Sequence, residues 1–315
     1  MQRAEQDSLA AAAVTRAAVS GRGFGVCSGL FPERRGTAQM CNLRILTCLL
    51  LLPFLAGTTG FAQGLKISTQ IRAVDPGAAE TEGTVVSSSL TLFHNGRIFD
   101  YVAAADELCV FDPVQKQFVV ASASRKIQTV VTFDEIRHHA ETRRMRTEEY
   151  LQEMSGGQSV AGAAELQFIR FQLNPEFRQS FEPSRNMLVL ASPALTYRIE
   201  LSRWEDADQV ERCLTWRDWT ARLNSVLHPD NLFPEPRLEV NRAIRERGGS
   251  LPIVVELDRR PAAVKLLRAE HQITAGLADD DHSRIARWES MLRTEELQTV
   301  PLRRYQQTSL VSRTR

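Results

Sequence analysis

The chain has 315 residues, of which 43% are hydrophobic and 24% charged, and its formal net charge is +1. This near balance gives no long-range positive field, on which nucleic-acid binding depends, so we expect no nucleic-acid partner. The length is sufficient to bury a core, either as one large domain or as two small ones.

The N-terminal region contains the most apolar run of the sequence. Arg44 precedes an apolar core from Ile45 to Leu55, and Gly60 and Ala62 supply small residues on either side of Phe61. This order is typical of a signal peptide, and it predicts cleavage between Ala62 and Gln63. The core is short for a membrane span of about 20 residues. The alternative is an uncleaved anchor, which would be the chain's one membrane contact.

Residues 1–39 are unusual for a signal peptide, because few residues normally precede the apolar core. Met40 is therefore an alternative true start, and residues 1–62 are set aside as an upstream extension plus signal peptide. The protein is expected to be exported, either periplasmic or secreted. Export permits a disulfide between Cys109 and Cys213, but two buried thiols explain them equally well.

Residues 63–155 are predicted to form an antiparallel meander followed by a helix. Short apolar–polar alternations recur from Leu65 to Val131, separated by links too short for parallel crossovers. Asn95-Gly96 predicts a tight hairpin turn, and Asp112-Pro113 ends another strand. Thr132 and Glu135 have the spacing of a capping box, so a helix is expected from there to about Met154.

Residues 165–315 are predicted to form a second α+β half, packed with the first as one unit after a linker at 155–164. The segment "LQFIRFQL", which starts at Leu166, and three further runs up to Ser202 are interpreted as strands. Helices are expected over about 207–228 and 234–247, followed by two strands. A closing helix after Asp279 would turn Ile285, Trp288 and Leu292 inward.

Segregated strands and helices indicate an α+β fold. We expect a mostly antiparallel, curved β-sheet with helices packed on one face. Its candidate ligand-binding residues are aromatic: Trp216 and Trp219, spaced for one helix face, together with Phe99 and Phe111 of the meander. Core packing is the alternative role, because aromatic residues at helical spacing are usually buried.

One short segment suggests a metal site. Asp279, Asp281 and His282 carry ligand-type side chains, but carboxylates in the first turn of a helix are also favoured by the helix dipole. The sequence contains no phosphate-binding loop, no His-Glu-x-x-His zinc helix and no Cys-x-x-Cys pair. No cofactor is therefore predicted, and a catalytic site is not identified.

The meander motif "F-x-N-G-x-x-F-D … V-x-D-P" resembles a pattern of uncharacterised exported bacterial proteins. It comprises Phe93, Asn95, Gly96, Phe99, Asp100, Val110, Asp112 and Pro113. More distantly, the meander is similar to the periplasmic lipoprotein-carrier (LolA-like) half-barrels. That resemblance implies lipid or lipoprotein binding by an antiparallel sheet curved around helices.

These observations favour a non-catalytic exported protein that binds an apolar ligand, such as a lipid or lipoprotein, in a curved sheet. The first alternative is an envelope structural or interaction protein whose core is filled. A hydrolase is the third hypothesis, because acid and base residues such as Asp100, Asp112 and His271 could converge in the folded chain.

Overall fold

Short, turn-separated strands assemble into one large sheet. A computed structural model describes residues 64–75, 83–154, 160–228, 231–259 and 266–313, which all lie in one compact unit. The sheet has twelve strands in the order β12-β6-β5-β4-β3-β2-β1-β11-β10-β9-β8-β7. All pairings are antiparallel except that of β12 with β6. The strands are β1 Leu65–Val74, β2 Thr84–His94, β3 Arg97–Val102, β4 Glu107–Asp112, β5 Gln117–Ser122, β6 Ile127–Thr132, β7 Arg178–Glu182, β8 Met187–Ala191, β9 Leu195–Arg203, β10 Ser250–Arg259, β11 Leu266–Ala275 and β12 Gln298–Thr299.

The first strand occupies the middle of the sheet. β1 pairs with β2 along one edge and with β11 along the other, so that Leu65 lies opposite both Phe93 and Ala275. The sheet thus takes strands from both predicted halves of the chain and joins them through β1.

The turns follow the sequence signals. Asn95 and Gly96 have φ angles of 48° and 77°, as a two-residue hairpin between β2 and β3 requires. β4 ends at Asp112, directly before the proline. The predicted α+β fold with a mostly antiparallel, curved sheet is confirmed.

Six helices are found in the described residues. They are α1 Phe133–Glu153, α2 Val160–Leu173, α3 Ala207–Leu227, α4 Glu235–Arg247, α5 Asp279–Arg293 and α6 Leu302–Arg313. None of these helices is long and apolar enough to cross a membrane. The predicted signal segment, with Met40 and the Ala62–Gln63 cleavage site, lies outside the described residues.

One predicted strand is wrong. The segment "LQFIRFQL" belongs to α2, which begins within the predicted linker. Leu166 and Leu173 are buried and Ile169 is half-buried, at spacings of three and four that place them on one helix face. They pack with Leu151 of α1 and with Phe233. Short apolar runs fit a strand and a buried helix equally well, and here packing against α1 decides for the helix.

Each face of the sheet supports a hydrophobic cluster. The inner face carries the large core, which includes Phe93 and is covered by residues of α1, α3, α4 and α6. The adjacent Leu92 points to the outer face and packs with Phe99, Leu108 and Ile285 of α5. α5 therefore adds a helix to the second face, which the prediction of one covered face did not include.

The start of α1 shows the predicted capping box. The Thr132 side chain accepts a hydrogen bond from Glu135 N, and Glu135 Oε2 accepts one from Thr132 N at 2.8 Å. We expect Thr132→Ala to lower the free energy of unfolding by about 1 kcal/mol. Urea unfolding at neutral pH measures this loss. Thr147→Ala, within the same helix, is the control, and an equal loss there would contradict a capping effect.

Both cysteines of the described chain are free thiols. Cys213 is buried in the inner core and Cys109 is half-buried on β4. The sequence left a disulfide and a pair of thiols open as alternatives, and the structure shows a pair of thiols.

Candidate ligand-binding site

A cavity of about 290 Å³ lies between α5 and the outer face of the sheet. We call it the α5 pocket. Its mostly apolar lining comes from β3, β4, β5, the turn after β5, and α5, and consists of Tyr101, Leu108, Ala121, Ala123, Trp288 and Met291. Three charged residues complete the lining: Asp106, Arg284 and Arg287.

The position of α5 is fixed at its first turn. Lys66 Nζ of β1 lies 2.8 Å from Asp281 Oδ1, and the other carboxylate oxygen of Asp281 accepts a hydrogen bond from Ala278 N. Further along the helix, Ile285 is buried in the outer cluster. These contacts hold the helix against β1 and β2, so that its next turns lie over the pocket.

Trp288 forms the aromatic side of the pocket. Its ring stacks on Phe99 at a centroid distance of 6.3 Å and an interplanar angle of 18°, and it lies 5.8 Å from the ring of Tyr101. Phe99 itself is fully buried beneath it. The ring is thus held in place by packing, and it presents a flat apolar surface to the cavity.

The carboxylate of the pocket is already engaged. Tyr101 Oη donates a hydrogen bond to Asp106 Oδ1 at 3.0 Å, and Ser124 N donates to Oδ2 at 2.8 Å. Burial alone would raise the pKa of Asp106, but the hydrogen bonds from Ser124 and Tyr101 and the charge of Arg125 together lower it. Asp106 is therefore an ionised, structural acceptor at neutral pH.

The two arginines are not engaged in this way. Neither Arg284 nor Arg287 has a carboxylate within ion-pair distance among the described residues, and Arg284 Nε is buried without a hydrogen-bond partner there. Arg287 is exposed and Arg284 half-buried. The α5 pocket thus combines an apolar floor with two guanidinium groups that are free to bind.

The predicted aromatic binding residues do not come together. Trp216 contacts Phe93 edge-on at 5.9 Å, and Trp219 stacks on Phe133 at 3.7 Å, both in the inner core. Phe111 packs in the same core, against Phe118 and Phe133. Phe99 lies on the opposite face, behind Trp288. The four residues are thus divided between the two faces of the sheet.

The three predicted metal ligands do not form one site either. Asp281 is buried, paired with Lys66, and caps α5, whereas Asp279 and His282 are exposed. Across the described ranges, no three His, Cys, Asp or Glu side chains are grouped as a metal ion would need. The capping role that the sequence offered as the alternative is present at Asp281.

A second unusual feature lies in the inner core, where polar residues of neighbouring strands form a row. Thr91 Oγ1 of β2 donates to Asp100 Oδ1 of β3 at 2.7 Å. Burial raises the pKa of Asp100 to about 6, although the bond from Thr91 and the charge of Arg217 act in the opposite direction. The environment of Asp100 therefore disfavours the ionised form of its carboxyl group.

A second polar pair lies on the same face of the sheet, between β1 and β11, in the row next to that of Thr91. Thr69 Oγ1 lies 2.8 Å from His271 Nδ1, and His271 Nε2 is buried without a hydrogen-bond partner in the described chain. Burial, and then the charges of Arg217 and Arg237, lower the pKa of His271 to about 2. His271 is therefore neutral at physiological pH. Asp112 does not belong to this row, since it accepts hydrogen bonds from Val114 N and Gln115 N in a turn.

No sequence pattern singled out Tyr101, Asp106, Arg284 or Arg287 as a candidate site residue. A signal was present for the helix, since Arg284, Arg287, Trp288 and Met291 are spaced by three, one and three residues and share one face. Trp288 was expected to face inward. The neighbouring arginines face the same cavity because of the position of α5 on the sheet. The spacing of residues along the helix does not specify that position.

No protein-family model matches this chain, and no curated protein sequence does. Among solved structures, the chain is similar to the crystal structure of a LolA superfamily protein from Nitrosomonas europaea. The match has 10% sequence identity and a TM-score of 0.24, and it covers 70% of this chain and 89% of the other. This match is to the same superfamily as the distant resemblance given by the meander, and at this TM-score it carries no argument about fold or function. The function has to be argued from this chain's own residues.

Proposed function

We propose that this chain is an exported, non-catalytic protein that binds a small ligand with an apolar part in the α5 pocket. One observation carries the proposal: a cavity of about 290 Å³ is lined by Tyr101, Leu108, Trp288 and Met291 rather than filled by them. This volume is close to the lower end of the range of ligand pockets, roughly 300 Å³. Export is proposed from the apolar N-terminal segment.

The pocket chemistry supports binding better than catalysis. The carboxylate of Asp106 is occupied on both oxygens, by Tyr101 and by Ser124. General acid–base catalysis would require a group free to exchange a proton with the substrate. Neither arginine can serve as a base, because guanidinium groups stay protonated in proteins.

A second candidate is an envelope interaction protein with a filled core. The observation that favours it is the packing of the inner face, where Trp216 and Trp219 contact other rings directly. In that case the α5 pocket would have no ligand, so binding to the pocket separates the two proposals.

The test is calorimetric titration of the full chain, exported in a bacterial host and purified without detergent, with 1-octanol as a neutral apolar probe. Ala123 is an exposed residue of the pocket lining, so Ala123→Leu should obstruct the cavity at little cost to the fold. We expect Ala123→Leu to weaken octanol binding about tenfold or more, as the loss of a few buried methylene contacts would.

Ala207→Leu, an exposed substitution at the start of α3, is the matched control and should bind octanol like the wild type. Absence of octanol binding to the wild type would exclude the proposed function and favour the interaction protein. Equal binding by Ala123→Leu and the wild type would place any octanol site elsewhere.

A further inference from the structure

The charges around the α5 pocket are unbalanced. One carboxylate, Asp106, faces two guanidinium groups, Arg284 and Arg287. Both oxygens of Asp106 accept hydrogen bonds, from Tyr101 and from Ser124, and no ion pair joins Asp106 to either arginine in the described part of the chain. The pocket therefore holds more positive charge than its own residues neutralise.

Two other acidic residues of α5, Asp281 and Glu289, have partners, and exposed Asp280 forms no ion pair with Arg284 in the described part of the chain. Asp281 forms its ion pair with Lys66 at 2.8 Å and caps the helix through Ala278 N. Glu289 lies 3.5 Å from Arg97 of β3. Arg284 lowers the pKa of Asp281 through its charge, but the hydrogen bonds of Lys66 and Ala278 contribute more. Arg284 and Arg287 are thus left without a carboxylate of their own.

The spacing of the two arginines suits a shared ligand. Residues three apart on a helix are neighbours on its surface, with about 5–6 Å between their Cβ atoms. Like charges at neighbouring helix positions repel each other, and an anion bound by both guanidinium groups would offset that repulsion. Carboxylate and phosphate groups match the planar donor geometry of arginine, which binds both oxygens of such a group.

We infer that the ligand of the α5 pocket is an amphipathic anion, whose carboxylate or phosphate head binds Arg284 and Arg287 and whose single apolar chain contacts Trp288 and Met291. This inference rests on the proposed function and specifies its ligand. The volume of about 290 Å³ fits one short chain rather than the two chains of a phospholipid.

The test compares two probes that share a chain and differ in the head: octanoate, which is ionised at pH 7.5, and neutral 1-octanol. The wild-type full chain at low salt should bind octanoate about tenfold more tightly than octanol, as a charge-assisted contact gives. The double variant Arg284→Gln/Arg287→Gln should lose this preference and bind octanoate no more tightly than octanol. A melting temperature and far-UV circular dichroism spectrum like those of the wild type show that the variant is folded.

Arg293→Gln is the matched control, because Arg293 is exposed on the last turn of α5 and does not line the pocket. It should retain the wild-type preference for octanoate. Raising the salt concentration should weaken octanoate binding and leave octanol binding unchanged, since salt screens charge interactions. Octyl phosphate in place of octanoate identifies which head group binds more tightly.

Each contrary result has its own meaning. If the wild type binds octanol but shows no preference for octanoate, the anionic ligand is excluded and the proposed pocket function stands. If neither probe binds, the proposed function itself fails. If acetate or inorganic phosphate binds as tightly as octanoate, the site binds simple anions, and the role of the apolar chain is excluded.

Discussion

Asp100→Asn is expected to raise the free energy of unfolding at pH 8 by about 2–3 kcal/mol, the equivalent of a shift of about two pKa units. Burial raises the pKa of Asp100 from 3.8 to about 6. The folded state therefore holds this proton more tightly than the unfolded state. The contribution of Asp100 to stability is full below pH 3.8 and is lost as the pH rises through 6. Asparagine keeps the acceptor for Thr91 and carries no charge.

The measurement is urea unfolding of the wild type and Asp100→Asn at pH values from 3.5 to 8. The difference between the two proteins should be small at the acid end and grow between about pH 4 and 6. Asp279→Asn, at an exposed carboxylate in the first turn of α5, is the control and should follow the wild type. If the difference in unfolding free energy between the two proteins stays constant across this range, Asp100 has the same pKa in the folded and unfolded states, which contradicts the prediction.

His271→Gln is expected to give the opposite pH dependence. The pKa of His271 falls from 6.5 to about 2 in the folded chain, so only the unfolded state takes up a proton as the pH drops below 6.5. Stability from the neutral imidazole is therefore present above pH 6.5 and is lost toward pH 2. At pH 4 the loss is at most about 3 kcal/mol, and we expect about 2 because water partly reaches the ring.

The comparison is again by urea unfolding, at pH 4 and pH 8. On going from pH 8 to pH 4, the stability of the wild type relative to His271→Gln should fall by about 2 kcal/mol, whatever the cost of the substitution at pH 8. His139→Gln, on the exposed side of α1, is the control and should lose as much as the wild type. The same acid loss in His271→Gln as in the wild type would contradict a neutral buried imidazole.

Asp100 and His271 lie on the same face of the sheet, both near the charge of Arg217, and they act in opposite directions between pH 4 and 6. Asp100 loses stabilisation as the pH rises, while His271 gains it. The wild-type profile should consequently be flatter than that of either variant. Each single substitution removes one of these pH-dependent contributions to stability and thereby exposes the other. The two variants should therefore deviate from the wild-type profile in opposite directions.

Local signals in the sequence predicted local structure well. The turn at Asn95-Gly96 needs two positive φ angles, and few residue pairs adopt them readily. The Thr132 capping box depends on contacts within four residues. Both features are decided by neighbours in the chain, so the sequence was sufficient to predict them.

Features that depend on distant contacts were not predicted. The apolar run in α2 is compatible with a strand, and its packing against Leu151 and Phe233 decides the outcome. Similarly, Arg284 and Arg287 become candidate ligand-binding residues only because α5 packs on the outer face, across from Leu108 and Tyr101. The pairing of β1 with β11 joins segments about two hundred residues apart, beyond the reach of any spacing rule.

The central position of β1 also bears on how the chain is made. Synthesis delivers Leu65–Val74 early, but the partner strand Leu266–Ala275 emerges near the end. Until then the β11-facing edge of β1 stays open, with unpaired peptide groups beside apolar side chains. Open edges of this kind favour pairing with other chains, and long-range pairing slows folding. The nascent chain therefore carries an open, aggregation-prone strand edge until β11 is made.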